Sequence, residues 1–198
     1  MNIEFIIPTY QRPHHLMAML SSLCSQTRIC WRAHVIADAP TGEDLEKLKK
    51  IIEYHKDDDR IRFTILPERH NDFGHTPRNY GLDHAQEEFI VMTGEDNYYM
   101  PTFVANFIDQ AYDDNIHFYY CNMVHNWVDG TYPPIKTRID QGMIDIGCYM
   151  FRRKHMGDIR LNPDYAESDY YFIQDYLNAI KSFSQDVVKI DKILYVHN

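Results

Sequence analysis

An acidic turn directly follows a strongly apolar segment of the chain. Residues 89–101 read FIVMTGEDNYYMP, in which a run typical of a buried strand leads into Gly94, Glu95, Asp96 and Asn97. Oxygen ligands at a rigid strand end suit Mg²⁺ or Mn²⁺ bound to a diphosphate, because these hard cations prefer oxygen. The alternative is a polar turn that merely leads into a helix beginning at the proline. Short motifs of this kind also occur by chance, so the turn by itself leaves both interpretations open.

Two further polar side chains have the types that a nucleotide requires. Asp38 ends a short apolar strand, where its carboxylate can accept a hydrogen bond from the imide N–H of uracil or thymine. The alternative is an aspartate in a turn that precedes a helix. Arg78 has a planar guanidinium that suits a diphosphate, and a structural salt bridge with an acidic loop is the open alternative.

Strands and helices alternate through the first half of the chain, and these elements must position the polar side chains. Short apolar runs predict strands at Ile3 to Ile7, His34 to Ala37, Arg62 to Leu66 and Phe89 to Thr93. Helical spacing between them predicts right-handed crossovers and an α/β fold with a mainly parallel central sheet flanked by helices. Because ligands bind beyond the carboxyl ends of parallel strands, the loops after these strands should form the site.

The second half of the chain has a less regular pattern. Its predicted elements, in chain order, are a helix from about Pro101 to Tyr112, strands from Ile116 to Cys121 and from Ile144 to Phe151, a helix from about Ser168 to Ile180, and one bent or two short strands from Val187 to Val196. A long irregular stretch runs from Asn126 to about Gly142. Loops of that length are usually functional or mobile.

The composition bounds the class of protein. The chain has 198 residues, which suits one domain, and a formal net charge of −9 with a pI of about 5.6. Because binding a polyanion needs clustered Lys and Arg, we expect no nucleic-acid partner. The four cysteines have no pair at two-residue spacing, and no apolar signal segment precedes the first strand, which predicts a cytoplasmic protein. No run approaches the roughly 18 apolar residues of a transmembrane segment, so any membrane contact should be peripheral.

Four motifs in the first hundred residues occur in the order of a known family. The first strand ends in Pro-Thr-Tyr at residues 8–10, the second ends in Asp38, and residues 71–81 match N-x-x-G-x-x-x-R-N-x-G. The acidic turn then follows a strand, Ile90 to Thr93, that aligns with the pattern I-x-F-L. In these features the chain resembles a family 2 glycosyltransferase with the GT-A fold, which is a single Rossmann-like α/β domain.

The resemblance implies an enzyme that moves a sugar from a nucleotide diphosphate to an acceptor hydroxyl. Residues 1–100 would bind the nucleotide and residues 101–198 the acceptor. The implied cofactor is Mn²⁺ or Mg²⁺, the donor a UDP-sugar, and the acceptor a glycan, a glycoprotein or a lipid-linked molecule. The nucleotide-site residues that it implies are Pro8, Thr9, Tyr10, Arg12, Asp38, Gly74, Arg78 and Glu95. Trp127, in the long irregular stretch, is a candidate for an acceptor-side contact or a mobile lid.

One position departs from the pattern of the family. The first aspartate of the D-x-D turn is Gly94 here, and Asp96 is the metal ligand that the resemblance still implies. Glu95 or Asn97 could compensate through outer-shell contacts. Several enzymes with this fold use a late histidine as a further ligand, which makes His197 a second candidate. The alternative for this residue is an exposed side chain next to the chain end.

Inverting sugar transfer requires a base that removes the proton of the acceptor hydroxyl. In the family this base lies at the start of a helix in the second half, and the matching stretch is residues 165–170, YAESDY. The resemblance implies Asp169 as the base and Glu167 as a neighbour that orients the acceptor or raises the proton affinity of the base. The alternative is structural, because the helix dipole favours acids at a helix N-terminus and Ser168 could be the cap.

Two other functions are compatible with the same fold. A nucleotidyltransferase that makes nucleotide sugars is disfavoured, because no Gly-rich, lysine-bearing loop follows the first strand. A catalytically silent module that binds sugar nucleotides or glycans is conceivable because the first acid of the turn is missing. Turnover of a nucleotide sugar in the presence of Mn²⁺ separates the enzyme from the module.

Overall fold

The computed structural model describes residues 1–126, 130–165, 167–180 and 187–198. Strands and helices alternate in the first half, as the sequence predicts. The elements are β1 (Ile3–Thr9), α1 (Pro13–Cys24), β2 (Trp31–Ala37), α2 (Gly42–Tyr54), β3 (Ile61–Ile65), α3 (His75–Asp83) and β4 (Phe89–Met92). Every residue of β1 and β4 is buried, because helices or loops cover both faces of these strands.

The second half contains shorter strands and two further helices. The elements are β5 (Tyr98–Tyr99), α4 (Phe103–Gln110), β6 (Phe118–His125), β7 (Pro134–Ile135), β8 (Tyr149–Arg152), α5 (Ser168–Ala179) and β9 (Val187–His197). The last segment is one strand whose register against β6 shifts near Asn122, which selects the bent-strand alternative. Trp127 lies outside the described residues.

The strand expected from Ile144 to Phe151 is shorter than its apolar run. Residues Ile146–Cys148 form a 3-10 turn, and the strand begins only at Tyr149. The cause is Asp145, whose Oδ1 atom accepts a hydrogen bond of 2.8 Å from the backbone N–H of Gly147. This local bond offers the backbone an alternative to the sheet, so the expected start of the strand was wrong.

The strands form one sheet in the order β3-β2-β1-β4-β8-β6-β9-β5, with β7 paired to β6. The pairs β3-β2, β2-β1 and β1-β4 are parallel, as predicted for the first half. Beyond β4 the sheet is mixed, because β8 runs antiparallel to both β4 and β6. The α/β fold is therefore confirmed: the first half of the chain forms parallel pairs, and the second half combines antiparallel pairs with the parallel pair β6-β9.

Close packing of α3 on β1 positions the loop that precedes this helix. Gly81 faces Ile6, and a Cβ atom at position 81 would collide with the side chain of that isoleucine. At the start of the helix Gly74 has φ +80°, a left-handed conformation that glycine adopts without strain. The loop before α3 therefore lies over the carboxyl end of β1.

Two findings bear on the predictions that the chain has no transmembrane segment and that its cysteines are those of a cytoplasmic protein. In the described part, no helix combines the length and apolar composition that crossing a bilayer would require. Cys24, Cys30, Cys121 and Cys148 are all free thiols. The cytoplasmic location stays a prediction.

Candidate functional site

A cleft of about 470 Å³ opens at the carboxyl ends of the parallel strands. Its walls come from the loop after β1, the end of β2, the loop before α3 and the turn after β4. All of the residues predicted for the nucleotide site, together with the predicted metal ligand of the acidic turn, line this cleft: Pro8, Thr9, Tyr10, Arg12, Asp38, Gly74, Arg78, Glu95 and Asp96. The parallel sheet thus brings together residues that are far apart in the sequence.

Asp38 fixes one wall of the cleft. Its Oδ1 atom accepts a hydrogen bond of 3.0 Å from the backbone N–H of His70, and Oδ2 accepts one of 3.2 Å from that of Asn71. The side chain is buried, yet it lines the cleft. Because each oxygen of an ionised carboxylate can accept two hydrogen bonds, Asp38 can hold this loop and still accept from a ligand.

Arg78 lies on the cleft floor and is held by backbone carbonyl groups. Its Nε atom donates to the carbonyl oxygen of Thr93 at 3.2 Å, and Nη1 donates to that of Phe73 at 2.9 Å. The salt bridge to an acidic loop, which the sequence left open, does not occur among the described residues. A buried guanidinium with neutral partners keeps its positive charge available to an anion in the cleft.

Tyr10 is covered by an arginine that sequence reasoning missed. The guanidinium carbon of Arg69 lies 3.5 Å from the centroid of the Tyr10 ring, and its Nη2 donates to Oδ1 of Asn71 at 2.6 Å. Arg69 lines the cleft. The sequence signal that could have identified Arg69 was its position two residues before the motif at residues 71–81, because a basic residue at that position reaches the same wall of the cleft as the motif.

The acidic turn presents one carboxylate to the cleft mouth and buries another. Glu95 accepts a hydrogen bond of 3.4 Å from the backbone N–H of Tyr10. Burial, and then the charge of Asp96, raise the pKa of Glu95 to about 7. Asp96 instead forms an ion pair with Arg12, from Nη1 to Oδ2. A Cβ at position 94 would lie 2.9 Å from Oδ1 of Asp96, so Asp96 leans over the glycine that replaces the first acid.

Asp169 lies in the first turn of α5, and its pKa responds to the charge of Arg78, which lines the cleft. Its pKa is raised by burial and by the charge of Asp145, and it is lowered by Arg78. Oδ1 accepts a hydrogen bond of 2.8 Å from the N–H of Tyr170. Glu167 is exposed at the N-cap of α5 and makes no capping hydrogen bond. Ser168 is the first helical residue rather than the cap.

His197 reaches the acidic turn through the pairing of β9 with β5. Because Tyr98 pairs with Val196, the next position places His197 opposite Asn97. The N–H of Asn198 donates to Oδ1 of Asn97 at 3.1 Å, which holds the chain end at the turn. The imidazole instead pairs with Asp145, whose Oδ2 lies 3.3 Å from Nε2. The sequence offers a short match to the family at Asp145, Ile146 and Gly147, but it assigned no role to Asp145.

The donor set of the cleft mouth suits a cation that is shared with a diphosphate. In the described ranges no group of three or more His, Cys, Asp or Glu side chains could hold a metal ion by itself. Mg²⁺ and similar ions are commonly held by one or two carboxylates together with substrate phosphates. The carboxylate of Asp96 fits that arrangement. The second candidate ligand, His197, has a buried Nδ1 atom without a hydrogen-bond partner.

The topology and the cleft define a class of protein. The first half of the sheet is parallel and carries an acidic turn after β4. The second half is mixed, and a carboxylate lies at the start of α5. This arrangement is the GT-A fold of glycosyltransferases. The chain belongs to glycosyl transferase family 2, whose family model matches residues 4–177.

Solved structures with the same fold include TarS of S. aureus and a mannosyltransferase. TarS of S. aureus, as its residues 1–349, has a TM-score of 0.76 at 21% identity and matches 100% of this chain and 60% of that one. The same protein in complex with UDP-GlcNAc has a TM-score of 0.76 at 20% identity, over 99% of this chain and 58% of that one. The mannosyltransferase PcManGT from Pyrobaculum calidifontis, in complex with GDP-Man and Mn²⁺, has a TM-score of 0.73 at 16% identity, over 99% and 56%.

These likenesses show the fold. The chain spans 60% or less of the length of these three solved structures. No curated protein matches the chain in sequence.

Proposed function

We propose that this chain is the catalytic domain of an inverting glycosyltransferase that moves a sugar from a UDP-sugar to an acceptor hydroxyl. The observation that carries the proposal is that Asp38 and Asp96, which follow different strands, line one cleft of about 470 Å³. That volume suits a small-molecule ligand. Membership of the family supports transfer of a sugar, and the UDP-GlcNAc of TarS and the GDP-Man of PcManGT support a nucleotide-sugar donor.

The nucleotide is proposed to lie between the β1 loop and the loop before α3. Asp38 accepts a hydrogen bond from the imide N–H of uracil with a lone pair that the backbone does not use. The ring of Tyr10 contacts the nucleotide on the same wall. Arg78 neutralises part of the diphosphate charge, which its buried position strengthens because the surrounding dielectric is low.

A divalent cation, Mn²⁺ or Mg²⁺, is proposed to bind together with the diphosphate. When bound it neutralises the charge that develops on the leaving group. Asp96 is the ligand proposed from the protein, and His197 is the second candidate because β9 brings it beside the turn. Glu95 supports the turn from behind through the backbone of Tyr10.

Asp169 is proposed as the base. It takes the proton of the acceptor hydroxyl while the acceptor oxygen bonds to the anomeric carbon and the bond from that carbon to the diphosphate breaks. Its raised pKa makes it a stronger base than an ordinary aspartate. Glu167, exposed at the same helix start, is proposed to orient the acceptor, which is a glycan, a glycoprotein or a lipid-linked molecule bound by the second half.

The test is a binding screen by thermal unfolding with UDP, GDP and UDP-GlcNAc, each with and without Mn²⁺. A ligand that binds the folded state raises the unfolding temperature by mass action. We expect UDP compounds to raise it more than GDP does, and Asp38→Ala to remove that difference. If no nucleotide stabilises the wild-type chain, the proposal is wrong.

A binding module without catalysis is the second candidate, favoured by the glycine at position 94 and by the Arg12–Asp96 ion pair that occupies the remaining acid. The discriminating measurement is release of UDP from UDP-sugars in the presence of Mn²⁺. Tight binding of UDP without any turnover of a panel of UDP-sugars identifies the module, and turnover excludes it.

A further inference from the structure

An ion pair between Arg12 and Asp96 lies in the wall of the cleft. It joins the loop after β1 to the turn after β4, through Nη1 and Oδ2. Both residues line the cleft, and both side chains reach solvent, with exposed fractions of 55% for Arg12 and 24% for Asp96. Any cation that approaches Asp96 therefore meets a guanidinium already bound there.

Asp96 is the acid that this turn presents at the cleft mouth. Position 94 is a glycine, and its missing side chain leaves space that Oδ1 of Asp96 approaches. Glu95 also lines the cleft, but its carboxylate accepts a hydrogen bond from the backbone N–H of Tyr10. With one carboxylate and an arginine attached to it, the turn of the free protein is a weak site for a divalent cation, because each unpaired carboxylate adds to such a site.

Arg12 and Arg78, two of the three arginines that line the cleft, differ in how firmly the protein holds them. Arg78 is buried and donates to two backbone carbonyl groups. Arg12 is mostly exposed, and Asp96 is the partner of its guanidinium. Exposed ion pairs of this kind contribute little free energy, so a stronger anion can take Arg12 from Asp96 at small cost.

We propose that Arg12 makes the cation site at Asp96 conditional on the diphosphate. The inference rests on the proposed function of the cleft. A nucleoside diphosphate takes the guanidinium, whose planar fork matches phosphate oxygens in two parallel hydrogen bonds. Asp96 is then released and, together with the phosphate oxygens, completes the ligand set for the cation. Nucleotide and cation therefore bind cooperatively, each raising the affinity for the other by the same factor.

The experiment measures Mn²⁺ binding by electron paramagnetic resonance and UDP binding by calorimetry, on the wild-type chain and on Arg12→Gln. For the wild type we expect weak Mn²⁺ binding that UDP strengthens roughly 5- to 150-fold, the usual range of such coupling. Arg12→Gln should bind Mn²⁺ more tightly than the wild type without nucleotide, bind UDP more weakly, and lose most of the coupling. A purely structural role for Arg12 would not move the two affinities in opposite directions.

Two further variants sharpen the comparison. Arg12→Lys keeps the charge and loses the fork, so it should still oppose Mn²⁺ while binding UDP less well. Arg138→Gln removes an exposed ion pair with Asp140 outside the cleft and should change neither affinity. Circular dichroism and thermal unfolding of each variant verify that it is folded.

The outcomes distinguish this inference from the proposed function. Equal Mn²⁺ affinity of the nucleotide-free wild type and Arg12→Gln overturns the role of Arg12, even if UDP binds and is turned over. Absence of UDP binding to the wild type overturns the proposed function, and the Mn²⁺ measurement, which needs no nucleotide, still decides whether Arg12 opposes the cation.

Discussion

The imidazole of His197 is paired with Asp145 rather than with a carboxylate of the acidic turn. Nε2 lies 3.3 Å from Oδ2 of Asp145, while Oδ1 accepts hydrogen bonds from Tyr195 at 2.6 Å and from Gly147 at 2.8 Å. The same carboxylate raises the pKa of Asp169. Asp145 therefore connects the end of β9 with the start of α5.

Replacing Asp145 should change the pH dependence of transfer. In Asp145→Asn the amide oxygen can still accept from Gly147 and Tyr195, but the negative charge near Asp169 is lost. The pKa of Asp169 should then fall toward its ordinary value, because a like charge no longer opposes ionisation. Since the ionised form is the base, the acid limb of kcat/KM should move to lower pH, by roughly one unit or less. An unmoved limb, compared with Asp140→Asn at an exposed site, contradicts the coupling.

Asp169→Asn should stop transfer and spare the donor. The amide cannot take the proton of the acceptor hydroxyl, and general-base catalysis contributes on the order of 10²- to 10⁴-fold. Single-turnover transfer measures the loss, and calorimetry with UDP measures donor binding. Asp175→Asn, on the exposed face of the same helix, is the matched control. Transfer by Asp169→Asn at the control rate would assign the base to another residue.

Gly94→Asp should restore the acid that the family pattern contains. The backbone at this position is not in the left-handed region, and the atom that a new Cβ approaches is the movable Oδ1 of Asp96. A second carboxylate should raise the Mn²⁺ affinity of the free protein by about tenfold. Gly94→Asn, which has the same shape without the charge, is the control. Equal Mn²⁺ affinities for the two variants contradict a metal role for this turn.

The buried His34 should make the free energy of unfolding sensitive to acid, independently of the nucleotide cleft. Burial, followed by the charges of Arg62 and His84, lowers the pKa of His34 to about 3. Below pH 6.5 the imidazole of His34 therefore binds a proton in the unfolded chain but not in the folded chain. The neutral imidazole thus contributes to the free energy of unfolding above pH 6.5, and this contribution is lost between pH 6.5 and about 3. Urea unfolding at several pH values should show a smaller loss in His34→Gln than in the wild type. The exposed His14→Gln should match the wild type.

Local sequence patterns were enough to predict the alternation of strands and helices and the polar residue types at the strand ends. Apolar runs and helical spacing are local patterns, so β1, β2 and β4 and the loops after them could be predicted. Parallel strands gather their carboxyl ends at one edge, which is why the motif residues of the first half line one cleft.

The tertiary structure alone decided which side chains meet. Arg12 pairs with Asp96 across 84 positions of the chain, and Asp145 meets His197 through the pairing of β9 with β6 and β5. The antiparallel insertion of β8 between β4 and β6 was likewise invisible in the sequence. The physical reason is that periodicity reports the face on which a residue lies, whereas partners distant in the chain are set by strand order and register, which depend on the packing of the whole core.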